Sequence, residues 1–165
     1  MDGTSGVALD LGVPLFGMDT KAARKQHGFN SESAPWLCGT SSVMIETPHI
    51  RLRCWRESDR EVFAAMNADP EVMLDQGGPL SREKSDAKLD RYTAAFVRYG
   101  FCRWVIEARD GEFLGYAGTM PSPSEHRLGP HVEIGWRLVR RAWAHGYATE
   151  AAGAALKDAF DRAGW

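Results

Sequence analysis

The feature of this sequence that most constrains its fold is the mixture of strand-like and helix-like runs between residues 44 and 165. Residues 50–55 and 131–138 alternate apolar with polar side chains, a period-two pattern typical of strands with one buried face. Residues 102–108 and 113–120 are also rich in β-forming residues, and the Asp-Gly pair between them suits a tight hairpin turn. These runs predict a mostly antiparallel sheet.

Helical segments are predicted on both sides of the central strands. Ser58, followed three residues later by Glu61, predicts a capping box at the start of the first helix. Ser81 predicts the N-cap of a second helix over residues 82–99, and a third helix is predicted over about residues 148–163. The resulting order, βααβββα, indicates an α+β fold with a mixed α/β architecture.

The first 43 residues differ in composition from the rest of the chain. Gly, Ser, Thr and Pro supply 16 of these 43 residues, and neither a helical nor a strand period runs across them. The sequence therefore predicts a mostly disordered N-terminal extension at 1–43 and a single domain at 44–165. Over the whole chain, 44% hydrophobic and 25% charged residues are typical of a soluble globular protein.

The charge balance and the cysteines limit the classes of partner. Because 20 basic residues face 22 acidic ones, there is no positive surplus for phosphate backbones or anionic lipid, and we expect no nucleic-acid or membrane partner. No apolar run of membrane-spanning length occurs. Cys38, Cys54 and Cys102 have neither metal-site nor disulfide-framework spacing, which predicts reduced thiols and a cytoplasmic location.

The connection between the last predicted strand and the last helix has the properties of an anion site. Unpaired amides of a first helical turn and the helix dipole attract negative charge, and Arg140 and Arg141 lie just upstream. Gly146 suits a close backbone approach, so a pyrophosphate would fit here. Neither a Walker motif nor a dinucleotide fingerprint is present, which disfavours nucleoside triphosphate chemistry.

The same connection resembles a known family. Residues 133–138 read Glu-Ile-Gly-Trp-Arg-Leu and residues 143–151 read Trp-Ala-His-Gly-Tyr-Ala-Thr-Glu-Ala, which together resemble the acyl-coenzyme A motif of GNAT N-acetyltransferases. Residues 45–47 and 67–73 resemble the opening of the ribosomal-protein N-acetyltransferase-like branch. The resemblance implies a GNAT-like central sheet flanked by helices, acetyl-CoA as co-substrate, and acetyl transfer to a primary amine.

The resemblance also implies how acetyl-CoA is bound. In the family, a Gln/Arg-x-x-Gly-x-Gly/Ala loop wraps the pyrophosphate with main-chain amides, and Gly146 and Ala148 match its last two positions. Trp143 occupies the Gln/Arg position, and Ala144 stands where relatives often have glycine. By this resemblance, three residues are implied to bind the pantetheine arm of acetyl-CoA: Trp136, Leu138 and Val139. The other residues implied to bind acetyl-CoA are Trp143, Ala144, His145, Gly146, Tyr147, Ala148 and Thr149.

Glu133 is the candidate general base, because it is a carboxylate on the strand beside the implied thioester. The structural alternative, in which Glu133 is solvated or ion-paired with Arg137, stays open. His131 and His145 could titrate near neutral pH, but histidines beside such a loop are more often surface residues. The histidines lack a set of metal-site partners, so no metal is expected.

The family pattern would continue after Trp165 with a strand, a helix and a hairpin, so we expect a C-terminal truncation that removes the general acid. Two functions remain open: direct transfer to a protein N-terminal α-amine or a small-molecule amine through a ternary complex, or a truncated or degenerate module that binds CoA weakly or dimerises without turnover. Self-association is expected through the exposed edge of the strand at 131–138.

Overall fold

The computed structural model describes residues 9–10, 44–122 and 131–163. Its strands are β1 (Leu9–Asp10), β2 (Met44–Glu46), β3 (Ile50–Arg53), β4 (Arg103–Ala108), β5 (Phe113–Pro121) and β6 (Val132–Leu138). Its α-helices are α1 (Asp59–Ala68), α2 (Arg82–Tyr99) and α3 (Tyr147–Ala163), and short 3-10 turns cover Leu74–Gln76 and Arg140–Ala142.

The described strands form one sheet in the order β1-β6-β5-β4-β3-β2, and every neighbouring pair is antiparallel. The predicted mixed α/β fold class is therefore confirmed. The sequence missed β2, which is too short to show a period; the Thr47 amide donates to the carbonyl of Ile50 (3.1 Å) and folds β2 back onto β3.

The expectation for residues 1–43 falls outside the described part of the chain except at β1. There the backbone of Leu9 pairs with Ile134 and that of Asp10 with Glu133. The first half of the β6 edge is therefore paired, although the sequence predicted an exposed edge.

The helix ends test the predicted caps. Ser81 Oγ accepts a hydrogen bond from the Lys84 amide (3.3 Å), which confirms the N-cap of α2. The capping box predicted for α1 is wrong, because Ser58 makes no side-chain cap hydrogen bond. The Asp59 carboxylate instead accepts from the Arg56 amide, which precedes the helix, at 2.7 Å.

Helices cover both faces of the sheet. Trp55, Phe63, Tyr92 and Tyr116 form an aromatic cluster in which α1 and α2 pack against β5, with ring centroids 4.9–6.4 Å apart. Helix α3 packs against β3, β5 and β6. Along β3, side chains that face α1 alternate with side chains that point to the other face of the sheet, and Leu52 is one of the latter. Because Leu52 is completely buried, α3 covers that other face.

This double covering corrects the prediction that β3 has one exposed face. Arg53 is only 7% exposed. Its guanidinium donates to both oxygens of Asp59 at 2.8 and 2.9 Å and also to the carboxylate of Glu107. Arg53, a charged residue of this alternating pattern, therefore belongs to a buried ionic cluster with Asp59 and Glu107.

The cysteine prediction holds only in part. Cys102 is a buried thiol, whereas Cys54 is disulfide-bonded, so the expectation of reduced thiols is wrong at Cys54. Within the described residues, no helix combines the length and apolar character needed to cross a bilayer.

Candidate functional site

The chain turns sharply between β6 and α3. Ala144 has φ = 62° and Gly146 has φ = 78°, and Ala144 is the one non-glycine residue in the described part of the chain with positive φ. This conformation is costly for a residue with a Cβ, which explains why glycine suits both positions. A Cβ on Gly146 would meet no atom within 4 Å, so the requirement is for backbone freedom and not for space.

The first turn of α3 presents main-chain amides. The first α-helical hydrogen bond runs from the Glu150 amide to the carbonyl of Gly146 (3.1 Å). The amides of Tyr147, Ala148 and Thr149 precede it and have no intrahelical partner. Thr149 is exposed and the other two are half-buried, so this turn can contact a bound anion.

Two of the predicted cofactor residues shape this loop with their side chains. Trp143 Nε1 donates to the carbonyl of Leu138 at 2.9 Å, which ties the loop to the end of β6. His145 Nδ1 lies 2.6 Å from the carbonyl oxygen of Trp143, and its ring stacks on Tyr147 with centroids 5.4 Å apart. These contacts stabilise the turn that exposes the amides.

The two arginines upstream of the loop are ion-paired. Arg140 lies 2.5 Å from a carboxylate oxygen of Glu71, and Arg141 lies 2.6 Å from one of Glu112. All four side chains are about half exposed, so these pairs are screened by solvent. The positive potential of the loop therefore comes mainly from the helix terminus.

The β6 backbone presents further groups at the edge of the sheet. Val139 donates to the Leu114 carbonyl (3.0 Å), so the odd-numbered residues of this strand face β5. The backbone groups of Trp136 and Leu138 consequently point to the other edge, beyond the short pairing with β1. The Val139 carbonyl also accepts from Ala142 at 2.9 Å, so both backbone groups of Val139 are engaged. The Leu138 carbonyl accepts from Trp143, so the geometry favours Trp136 and the Leu138 amide over Val139 for a ligand.

Glu133, the candidate base, has an arginine partner. Arg103 Nη2 donates to Glu133 Oε1 at 2.8 Å, and the Glu133 side chain is 30% exposed. Arg103 itself is buried and also donates to the carbonyls of Gly135 (3.1 Å) and Gly118. A Cβ on Gly135 would lie 2.9 Å from the guanidinium, so glycine makes room for Arg103 on β6.

The alternative prediction, an ion pair between Glu133 and Arg137, is wrong because the partner of Glu133 is Arg103. Arg137 donates to both oxygens of Asp75 at 2.8 and 2.9 Å and to the carbonyl of Val72. The hydrogen bonds and charge of Arg137 outweigh partial burial and hold the pKa of Asp75 below its ordinary value. Sequence reasoning missed Arg103, although a charged residue in the strand-like run 102–108 is the signal that could have found it.

A polar cavity of about 190 Å³ lies beside Glu133 and Trp136. Residues of α2, β4, β5 and β6 line it, including Tyr92 and Tyr116, whose ring centroids are 5.4 Å apart. Burial and the neighbouring Tyr116 raise the pKa of Tyr92. Burial also opposes ionisation of Tyr116, but the charge of Lys88 and the hydrogen bond with Tyr92 outweigh it and lower the pKa of Tyr116.

A second cavity of about 370 Å³ lies between α1 and the end of β6, with mostly apolar side chains on the α1 side. Neither Glu133 nor Trp136 lines it. Of the two candidate histidines, His131 is buried, which corrects its expected surface position, and His145 is exposed. Among the described residues, no group of three or more His, Cys, Asp or Glu could hold a metal ion.

Comparison with known families decides the class of this fold. Residues 49–165 match the family described as Acetyltransferase (GNAT) domain. The chain belongs to the GNAT acetyltransferase family. Its class is therefore that of an acyltransferase, and members of this family use acetyl-CoA as co-substrate.

Relatives of this GNAT domain include two proteins of Bacillus subtilis. The chain is 35% identical to the uncharacterized protein YkkB over 123 residues, which cover 73% of this chain and 70% of YkkB. It is 28% identical to the uncharacterized N-acetyltransferase YoaA over 110 residues, which cover 65% of this chain and 60% of YoaA. The chain thus spans less than two thirds of the length of YoaA.

Solved acetyltransferase structures share the fold. The acetyltransferase from Agrobacterium tumefaciens aligns with a TM-score of 0.66 and 24% identity, covering 76% of this chain and 71% of that one. A GNAT-family acetyltransferase from Bacillus anthracis aligns with a TM-score of 0.58 and 22% identity, covering 72% and 67%. At these identities the likeness concerns the fold.

Proposed function

We propose that this chain transfers an acetyl group from acetyl-CoA directly to a primary amine within a ternary complex. The observation that carries the proposal is a set of main-chain groups on two consecutive elements that pair with no neighbouring strand or helical turn. The backbone of Trp136 and the amide of Leu138 point away from β5, and the amides of the first turn of α3 have no intrahelical partner. Such groups suit a long ligand with an anionic end.

The residues present fit acetyl-CoA. Amides of Tyr147, Ala148 and Thr149, reached through the left-handed turn at Ala144 and Gly146, would hold the pyrophosphate. The backbone of Trp136 and Leu138 would hold the pantetheine arm as an added strand. When bound, acetyl-CoA supplies an acetyl group already activated as a thioester.

Acetyl transfer to an amine requires few catalytic groups from the protein itself. An α-amine has a pKa near 8 and must lose its proton before it can attack. Glu133 would accept that proton directly or through water, since its side chain borders the polar cavity. Arg103 fixes the orientation of this carboxylate through Oε1. A main-chain amide at Trp136 would stabilise negative charge on the reacting carbonyl oxygen.

We expect Gly146→Asp to weaken acetyl-CoA binding by about tenfold more than Gly146→Ala does. Both variants place a Cβ on a backbone with φ = 78°, a conformation that Asp tolerates at least as well as Ala, so strain does not favour the alanine variant. The aspartate alone adds negative charge beside the helix terminus, where it would repel the pyrophosphate. Isothermal titration calorimetry with acetyl-CoA measures the two dissociation constants.

Thermal melts of both Gly146 variants serve as the control, because a strained loop could lower stability without touching the ligand. Equal affinities of the two variants, with equal melting temperatures, would show that the pyrophosphate does not lie at this loop. Binding of acetyl-CoA by the wild type without turnover of any amine would instead support a module that binds CoA without catalysis.

We expect Glu133→Gln to slow acetyl transfer mainly at low pH. The rate loss relative to the wild type should be about tenfold larger at pH 6 than at pH 9, because a base matters most while the amine is protonated. Initial rates of CoA release across this pH range measure the profile. A rate loss that is the same at every pH, together with lower stability, would assign Glu133 to positioning of Arg103 alone.

Finer assignments extend the proposal. Residues 45–47 and 67–73 support the ribosomal-protein N-acetyltransferase-like branch, and the cysteine spacing, which lacks a disulfide-framework pattern, supports a cytoplasmic location. The β6 edge beyond β1 would also serve self-association, which sedimentation velocity tests with and without acetyl-CoA.

A further inference from the structure

The polar cavity beside Glu133 carries more positive than negative charge. Four basic side chains line it, and Glu133 is the one carboxylate among the residues that line it. The basic residues are Lys88, Arg91, Arg103 and Arg137. Two of them are neutralised inside the protein, because Arg103 pairs with Glu133 and Arg137 pairs with Asp75, each at 2.8 Å.

The other two cations, Lys88 and Arg91, lie three residues apart on α2, which places them on one face of the helix. Lys88 Nζ lies 5.6 Å from the centre of the Tyr116 ring, and the Arg91 guanidinium lies 5.8 Å from that of Tyr92. Within the part of the chain that the structure describes, no carboxylate lies within 4 Å of either cation.

The acidic residues nearest to them along α2 are already engaged. Asp86 lies 2.9 Å from Arg82, and Asp90 lies 2.7 Å from Arg60. Among the residues that the structure describes, the cavity therefore keeps a surplus of two positive charges. The lowered pKa of Tyr116 agrees with this, since burial alone would raise it and Lys88 is the strongest opposing influence.

We infer that the acceptor amine carries a carboxylate, which Lys88 and Arg91 bind while Glu133 faces the amine. This inference rests on the proposed acetyl transfer and names its substrate class. The cavity lies at the middle of β6, next to Glu133 and Trp136. The α3 loop begins after the end of that strand, roughly 10–15 Å farther along at 3.3 Å per residue, so the pyrophosphate does not account for these cations.

The test compares α-amino acids with their carboxamides as acceptors, in wild type, Lys88→Gln and Lys84→Gln. Lys84 is an exposed lysine one turn earlier on α2 and does not line the cavity, so its variant is the matched control. We expect Lys88→Gln to raise KM for the acids roughly tenfold and KM for the amides less than twofold. Because each acceptor is compared with itself, differences in amine pKa between acids and amides cancel.

Calorimetric titration with the N-acetylated acids and their amides adds a readout that needs no turnover. Tighter binding of the acids that is lost in Lys88→Gln and kept in Lys84→Gln supports the inference, even if no acceptor is acetylated and the proposed function fails. Acetylation of acids and amides alike, with no effect of Lys88→Gln, overturns the inference and leaves acetyl transfer intact. Absence of Lys88-dependent binding in every assay also overturns it.

Discussion

Replacing Arg53 with methionine is expected to lower the free energy of unfolding by about 3–5 kcal/mol. The substitution keeps an apolar side chain of similar length but removes the cation shared by Asp59 and Glu107. The side chains of these carboxylates are only 6% and 9% exposed, so Asp59 would stay buried without a charge partner and Glu107 would keep only the exposed Arg56, 3.9 Å away. Urea denaturation followed by circular dichroism measures the loss.

Arg51→Met is the matched control, because Arg51 lies on the same strand and its side chain is 32% exposed. Its pair with Glu46 is long, at 3.5 Å, and a change of less than about 1 kcal/mol is expected. Adding Asp59→Asn and Glu107→Gln to Arg53→Met should restore much of the stability, since no buried charge then remains unpaired. Equal losses for Arg51→Met and Arg53→Met would contradict the ionic cluster.

The helices α2 and α3 could be predicted closely because their signals are local. Ser81 caps α2 by accepting from an amide three residues later, and Gly100 ends that helix in the left-handed conformation that glycine adopts most easily. Both signals depend on residues adjacent in sequence. The strand β1 depends instead on pairing with Glu133 and Ile134, which lie more than 120 residues away in the sequence. A local sequence pattern does not predict such a distant partner.

Buried arginines explain most of what the sequence could not predict. In an alternating strand, an arginine indicates a solvent-exposed face, yet Arg53, Arg103 and Arg137 are all less than 8% exposed. Each is buried because carboxylates or main-chain carbonyls from other elements reach it. The partner of Glu133 is therefore a residue of β4 and not Arg137, which points the same way but is held by Asp75.

The part of the candidate site that consists of main-chain groups could be predicted from the sequence. The left-handed turn at Gly146 and the amides of α3 follow from a glycine before a helix start, whatever the side chains do. The positive cavity was not predictable, because Lys88 and Arg91 lie on α2, 42 or more residues from Glu133, and a charged stripe on a helix is usually solvated.

Asp75→Asn is expected to destabilise the protein by about 2 kcal/mol at pH 7, because buried Arg137 loses a charged partner. The loss is smaller than for a fully buried pair, since the Asp75 side chain is 26% exposed. Arg137 holds the pKa of Asp75 below its ordinary value, so the unfolded chain binds this proton more readily than the folded one. The stabilisation is therefore complete above about pH 5 and disappears as the pH falls through the lowered pKa.

The difference in unfolding free energy between wild type and Asp75→Asn should thus be constant from pH 7 to 5 and shrink below about pH 4. Glu71→Gln is the matched control, because Glu71 lies on the same segment as Asp75. Its pair with the half-exposed Arg140 is screened by solvent and contributes little to the free energy of unfolding. A difference that stays constant down to pH 3 would mean that Asp75 acts through packing and not through its charge. Arg137 would then lack its counter-ion, and the surplus positive charge assigned to the cavity would be larger than two.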